Sequence, residues 1–82
     1  MNKRKLLLRI INNDKNVRFD DFIVIVKAFG FKLERIKGSH HIFENPKINE
    51  TINIQNVKGQ AKPYQIRQFF AIVEKYKLYM ED

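Results

Sequence analysis

The sequence predicts a small α+β domain in which helices cover one side of a three-stranded antiparallel sheet. Apolar residues recur at helical spacing near both ends of the chain, and from Phe31 the pattern changes to short runs rich in β-branched and aromatic residues, parted by turn-forming residues. The length agrees: 82 residues with no repeat, no low-complexity tract and no long linker make one domain, 1–82, whose first 19 residues form a helical extension.

Lys3 to Ile11 carries Leu6, Leu7, Ile10 and Ile11 on one helical face, with Arg4, Lys5 and Arg9 off it, and Asn12-Asn13-Asp14-Lys15-Asn16 breaks the run. A second helix is expected to start at Asp20, whose carboxylate suits a cap, and to run through Phe22, Ile25, Val26 and Phe29 to a stop at Gly30. The β-branched cluster Ile23-Val24-Ile25-Val26 would suit a strand on propensity, but the cap and the stop favour a helix. Phe31–Ile36, His40–Glu44 and Thr51–Val57 read as a meander of three strands, with turns at Lys37-Gly38-Ser39 and Asn45-Pro46-Lys47. In the third run Ile52 and Ile54 alternate with Asn53 and Gln55, which gives the sheet an apolar face and an open polar one. Pro63 fits the first turn of a last helix with Ile66, Phe69, Phe70 and Val73 as its buried stripe. The order is α-α-β-β-β-α, and its last five elements follow the order of double-stranded-RNA-binding domains, dsRBD-like and two-layered.

Composition narrows the function. A domain this small has little core to spare for an internal metabolite pocket, so a site belongs on the surface. Sixteen Lys and Arg against nine Asp and Glu, a net charge of +7, suit a polyanion, with nucleic acid first and an acidic protein second. No apolar run approaches the roughly 20 residues of a membrane span, and Leu6-Leu7-Leu8 is too short for a secretory signal. The lack of cysteine excludes disulfides and thiolate metal sites and points to a cytoplasmic protein.

Chemistry concentrates in Gly38-Ser39-His40-His41-Ile42-Phe43, which sets the only two histidines side by side after a Gly-Ser turn. Histidine alone both takes and gives a proton near neutral pH without special tuning. On a strand His40 shares a face with Ile42, and His41 shares the other with Phe43. If the larger Phe43 anchors the core, His40 points to the open face. That opposition, with no carboxylate–histidine helix motif nearby, argues against a metal centre.

This motif, on the second strand of an α-β-β-β-α unit in a small basic chain, resembles the HicA family of toxin–antitoxin toxins from Asp20 to the C-terminus. Lys58 to Gln68 also resembles the lead into the last helix of one HicA-like branch. Many such sequences carry a His-Pro pair after the motif and Val-Pro-x-His on the third strand, where this chain has Asn45-Pro46 and Asn53-Ile54-Gln55-Asn56. The resemblance implies a dsRBD-like mRNA interferase, a metal-independent endoribonuclease without a cofactor, acting on mRNA and silenced by a HicB-like antitoxin. It implies His40 as the catalytic histidine, since the family's histidine usually follows Gly-Ser directly. His41 is the alternative, since some members carry it one place later.

RNA brings its own nucleophile, the 2′-hydroxyl, so an imidazole that takes its proton and cations that stabilise the charged transition state suffice. Lys37, Lys58, Lys62 and Arg67 are the candidate cations, and Ser39 and Tyr64 join them as RNA contacts. Lys58 to Lys62 has no acidic residue, holds Gly59 and leads into a helix N-terminus, where free N–H groups favour phosphate. Tyr64 either stacks on a sugar or base or packs on the sheet. Phe22, Phe69 and Phe70 read as core. The second functional reading is a non-catalytic dsRBD-like module that uses the same basic surface for RNA shape recognition.

Overall fold

A computed structural model describes residues 2–80. The elements are α1 (Lys3–Asn12), β1 (Val17–Arg18), α2 (Phe19–Ala28), β2 (Lys32–Lys37), β3 (His40–Asn45), β4 (Glu50–Gln55), β5 (Gln60–Ala61) and α3 (Pro63–Tyr76). The central sheet is antiparallel in the order β2-β3-β4, and β1 pairs with β5 in a separate two-residue ladder. The three-stranded α+β arrangement is therefore the one the residue pattern predicts, with the small β1–β5 ladder added.

α1 starts where Asn2 Oδ1 accepts from the backbone N–H groups of Arg4 and Lys5, at 3.0 and 3.2 Å. It packs against α2 along a seam narrower than its apolar spacing suggests: Leu6 and Ile10 are buried, Leu7 is half-buried, and Ile11 is 55% exposed. The expected cap at Asp20 is displaced. α2 begins one residue earlier at Phe19, its N-cap is Arg18, and no side chain caps it. The ladder is the physical reason, since Val17 pairs with Ala61, Arg18 with Gln60, and the Phe19 N–H reaches the Gly59 carbonyl at 2.8 Å. Backbone partners thus take the place of the cap, and Asp20 and Asp21 lie in the first turn, where carboxylates favour the positive end of the helix dipole. The β-branched cluster is helical, with Ile25 and Val26 fully buried. The stop is at Gly30, whose φ of +94° belongs to the left-handed region that glycine adopts without penalty.

Strand boundaries fall within one or two residues of the expected ones. Val57 leaves β4 to form an isolated bridge with Gln60. In β2 the register shifts between Leu33 and Arg35, so Glu34 is an inserted residue. α3 runs along β4 and is tied to it near both ends: Gln65 bonds the β4 backbone, and the Tyr76 hydroxyl donates to Glu50 at 2.7 Å.

The core lies between the helices and one sheet face, around Phe69. Its ring meets those of Phe22, Phe29, Phe31 and Phe70 in tilted, edge-on contacts with centroids 5.4–5.7 Å apart. Phe43, Ile52 and Ile54 close the core from the sheet. Phe70 and Val73, expected in the buried stripe of α3, are half-buried at its border. Asn45 is the buried polar residue among those described; its amide donates to the Phe29 carbonyl at 3.3 Å, and its Oδ1 accepts from the Lys47 N–H at 3.1 Å. Phe69→Ala removes the ring shared by all four contacts and is expected to cost about 3–5 kcal/mol. Urea unfolding measures it, with Phe70→Ala costing less because that ring is only half-buried.

Candidate functional site

The β2–β3 hairpin sets the site. Lys37 pairs with His40, so the turn is Gly38-Ser39 alone, and Gly38 takes φ +62°, the positive value that the first position of such a two-residue turn favours. This register decides where every side chain of β3 points. His41 and Phe43 face the helices, and Phe43 is 1% exposed. His41 is half-buried, its ring centroid 4.7 Å from that of Phe19 and its Nδ1 3.3 Å from the Ser39 carbonyl oxygen.

His40 is exposed on the other face. Its Nδ1 lies 3.1 Å from Asn53 Oδ1, a diagonal neighbour on β4. The amide oxygen only accepts, so Nδ1 carries the proton in this bond and Nε2 keeps its lone pair in the neutral imidazole. Through the ladders, His40, Ile42 and Glu44 share this face with Gln55, Asn53 and Thr51 on β4 and with Lys37, Arg35 and Lys32 on β2.

The start of α3 is docked beside this row by Gln65. Its Oε1 accepts from the Gln55 N–H at 2.9 Å and its Nε2 donates to the Asn53 carbonyl at 2.8 Å, so one side chain fills the place of a further strand along the β4 edge. Nearby, Gln55 Nε2 donates to Ser39 Oγ at 3.4 Å and the Asn56 N–H to the Ser39 carbonyl at 2.9 Å. The β2–β3 turn, the end of β4 and the first turn of α3 therefore meet at one end of the sheet.

Most of the expected contact residues gather here. Lys37 faces His40 across the ladder, and Ser39 is in the turn. Lys58, at φ +52°, and Gly59 form the turn before β5, which the Asn56 side chain closes by accepting from the Gly59 N–H at 2.8 Å. Lys62 is the N-cap residue of α3, and Tyr64 in its first turn is 56% exposed rather than packed on the sheet. Arg67 is the exception. It lies on the α1 side of α3, its Nε donating to Asp14 at 2.7 Å, at a groove lined by Ile10, Ile11, Ile66 and Phe70. Its charge is engaged there and not beside His40. Arg35 and Lys32 were not singled out in the sequence: Arg35 reaches the open face by plain alternation from Lys37, whereas Lys32 is brought there only by the inserted Glu34.

Among the described residues no group of three or more His, Cys, Asp or Glu side chains is placed to hold a metal ion, and no helix is long and apolar enough to cross a membrane. A family model described as the HicA toxin of bacterial toxin–antitoxin systems matches residues 19–74, from the first residue of α2 into the last turns of α3. No curated protein and no solved structure gives a significant match.

Loss of the Gln65 clamp leaves a strand-edge donor and acceptor without their partners. Gln65→Ala is expected to cost about 1–3 kcal/mol in urea unfolding and to speed hydrogen exchange at the Gln55 amide. Gln65→Glu keeps the acceptor for Gln55 but sets a carboxylate oxygen against the Asn53 carbonyl, so it does not restore stability.

Proposed function

The chain belongs to the HicA toxin family, and from that premise we propose that it is an endoribonuclease, an mRNA interferase that acts in the cytoplasm without a metal or cofactor and is held inactive by a HicB-like antitoxin. The observation that carries the reading is the imidazole of His40, exposed on the open face and oriented through Nδ1 by Asn53.

With Nδ1–H directed at Asn53, Nε2 is the atom that meets RNA. It takes the proton of a 2′-hydroxyl as that oxygen attacks the adjacent phosphorus. The P–O2′ bond forms, the P–O5′ bond breaks, and the departing 5′-oxygen is protonated, by the imidazolium or by water. The products are a 2′,3′-cyclic phosphate and a 5′-hydroxyl. General acid–base help of this kind gives about 10²–10⁴-fold. Lys37, the cross-strand partner of His40, is the nearest cation in register for the charge that builds on the phosphate oxygens, and cations placed at developing charge add to the rate. Lys58, Lys62 and Tyr64 extend the surface along the RNA at the α3 end, where the Tyr64 N–H has no carbonyl of its own helix within reach. A single imidazole with no paired second proton carrier makes a slow enzyme, which suffices for a toxin.

His41 is given a structural role by this reading. Its ring fills space beside Phe19, where α2 begins.

His40→Ala is expected to lower cleavage of a long single-stranded RNA by about 100-fold or more, in excess chelator, with RNA binding retained. Asn53→Leu removes the acceptor that orients the ring and lowers cleavage about tenfold, the weight of one hydrogen bond, without changing affinity. His41→Ala retains cleavage at temperatures where it stays folded. Loss with His41→Ala alone would move the proton transfer to the helix-facing histidine. RNA binding by the wild type without any cutting would leave the non-catalytic RNA-binding module as the function.

A further inference from the structure

β2 is a sheet edge that no described element covers. All six of its residues are exposed, and its only ladder is with β3, so its outer N–H and C=O groups face solvent. The inserted Glu34 gives this edge two unlike sides. Leu33 pairs with Phe43 and Ile36 with His41, which puts both on the helix side, yet they are 41% and 56% exposed. Lys32, Arg35 and Lys37 lie on the other side, in line with Glu44, Ile42 and His40.

We infer that β2 is the docking edge for a strand from an acidic protein partner, which extends the sheet, covers Leu33 and Ile36 with apolar side chains, and sets carboxylates against Lys32, Arg35 and Lys37. Strand addition of this kind draws affinity from main-chain hydrogen bonds and specificity from alternate side chains. Charge selects the occupant. A second copy paired antiparallel would match Leu33 with Ile36 and Glu34 with Arg35, but would also set Lys32 against Lys37 twice and join two chains of net charge +7. RNA would meet the cations but make no use of the apolar pair or the free edge. An acidic, alternating strand satisfies all three features.

The consequence for activity rests on the ribonuclease reading: Lys37 faces His40 across the ladder, so a carboxylate-bearing strand at this edge neutralises the cation beside the imidazole. The docking itself does not depend on that reading.

The test is an amide NMR titration of the full-length, isotope-labelled chain with a blocked peptide of alternating glutamate and valine, and separately with a 2′-O-methyl oligouridylate, which has no free 2′-hydroxyl to be cleaved. The peptide is expected to shift the amides of residues 32–37 and slow exchange of the outward-facing ones, while a lysine–valine peptide does not bind. The double variant Leu33→Ser and Ile36→Ser, at exposed positions, weakens peptide binding about tenfold or more and leaves oligonucleotide binding unchanged. Unshifted β2 amides, or equal peptide affinity in the double variant, would overturn the inference. Oligonucleotide shifts at β2 with no peptide shifts would assign the edge to RNA, and concentration-dependent dimerisation abolished by the double variant would assign it to a second copy. Failure of the wild type to cut RNA would sink the ribonuclease reading alone and leave the peptide result standing.

Discussion

The register of the β2–β3 hairpin is the constraint on which the rest of the site depends. Gly38 and Ser39 leave no slack between Lys37 and His40, and a slip of one residue would exchange the two faces of β3. Phe43 would then leave the core for solvent, a loss of about 1.5–3 kcal/mol for the side chain alone. The same burial that holds Phe43 inward holds His40 outward. Folding stability and the exposure of one imidazole are in this way coupled through a single strand, and no separate device is needed to present the histidine.

The second dependence runs through α3. Phe69 fixes the helix over the core, while Gln65 and Tyr76 tie its two ends to β4. Because Gln65 bonds the backbone of Asn53 and Gln55, the element that carries Lys62 and Tyr64 is held to the strand whose Asn53 side chain orients His40. The ion pairs matter less. Arg9–Asp21 and Arg67–Asp14 lie at the surface, where such contacts contribute little to stability, and they attach α1 and its following loop to the rest of the domain. α1 lies outside the segment that matches the family model, so the face bearing His40 is built wholly from the matched part.

Much of this was legible in the residue pattern because it follows from periodicity. The switch from helical to alternating spacing at Phe31 located the sheet, the stop at Gly30 marked the end of the helix that holds the β-branched cluster, and strict alternation from Phe43 put His40 on the open face. What escaped were features with no period. A two-residue ladder such as β1–β5 is too short to leave a pattern, and it is what moved the start of α2 from Asp20 to Phe19. A bulge breaks alternation by its nature, so Lys32 could not be placed on the face of His40, nor Leu33 with Ile36, whereas Arg35 shares that face by plain alternation from Lys37. Gln65, three residues after the N-cap of α3, has the position of an ordinary capping residue; its bonds to β4 depend on tertiary placement. Arg67 carries the charge expected of an RNA contact, but Asp14, distant in sequence, engages it.

In the proposed reaction the RNA supplies the nucleophile, and the protein moves its proton and stabilises the charge that builds on the phosphate. The most direct measurement is mass spectrometry of the ends produced when the purified chain, in excess chelator, cuts a defined single-stranded RNA, alongside the same strand carrying a 2′-deoxy sugar at each cleaved position. Attack by the 2′-oxygen gives a 2′,3′-cyclic phosphate and a 5′-hydroxyl from the first strand and no cut at the substituted positions. A 5′-phosphate, or cleavage that persists at the 2′-deoxy positions, would show that water attacks phosphorus directly and would contradict the role assigned to His40.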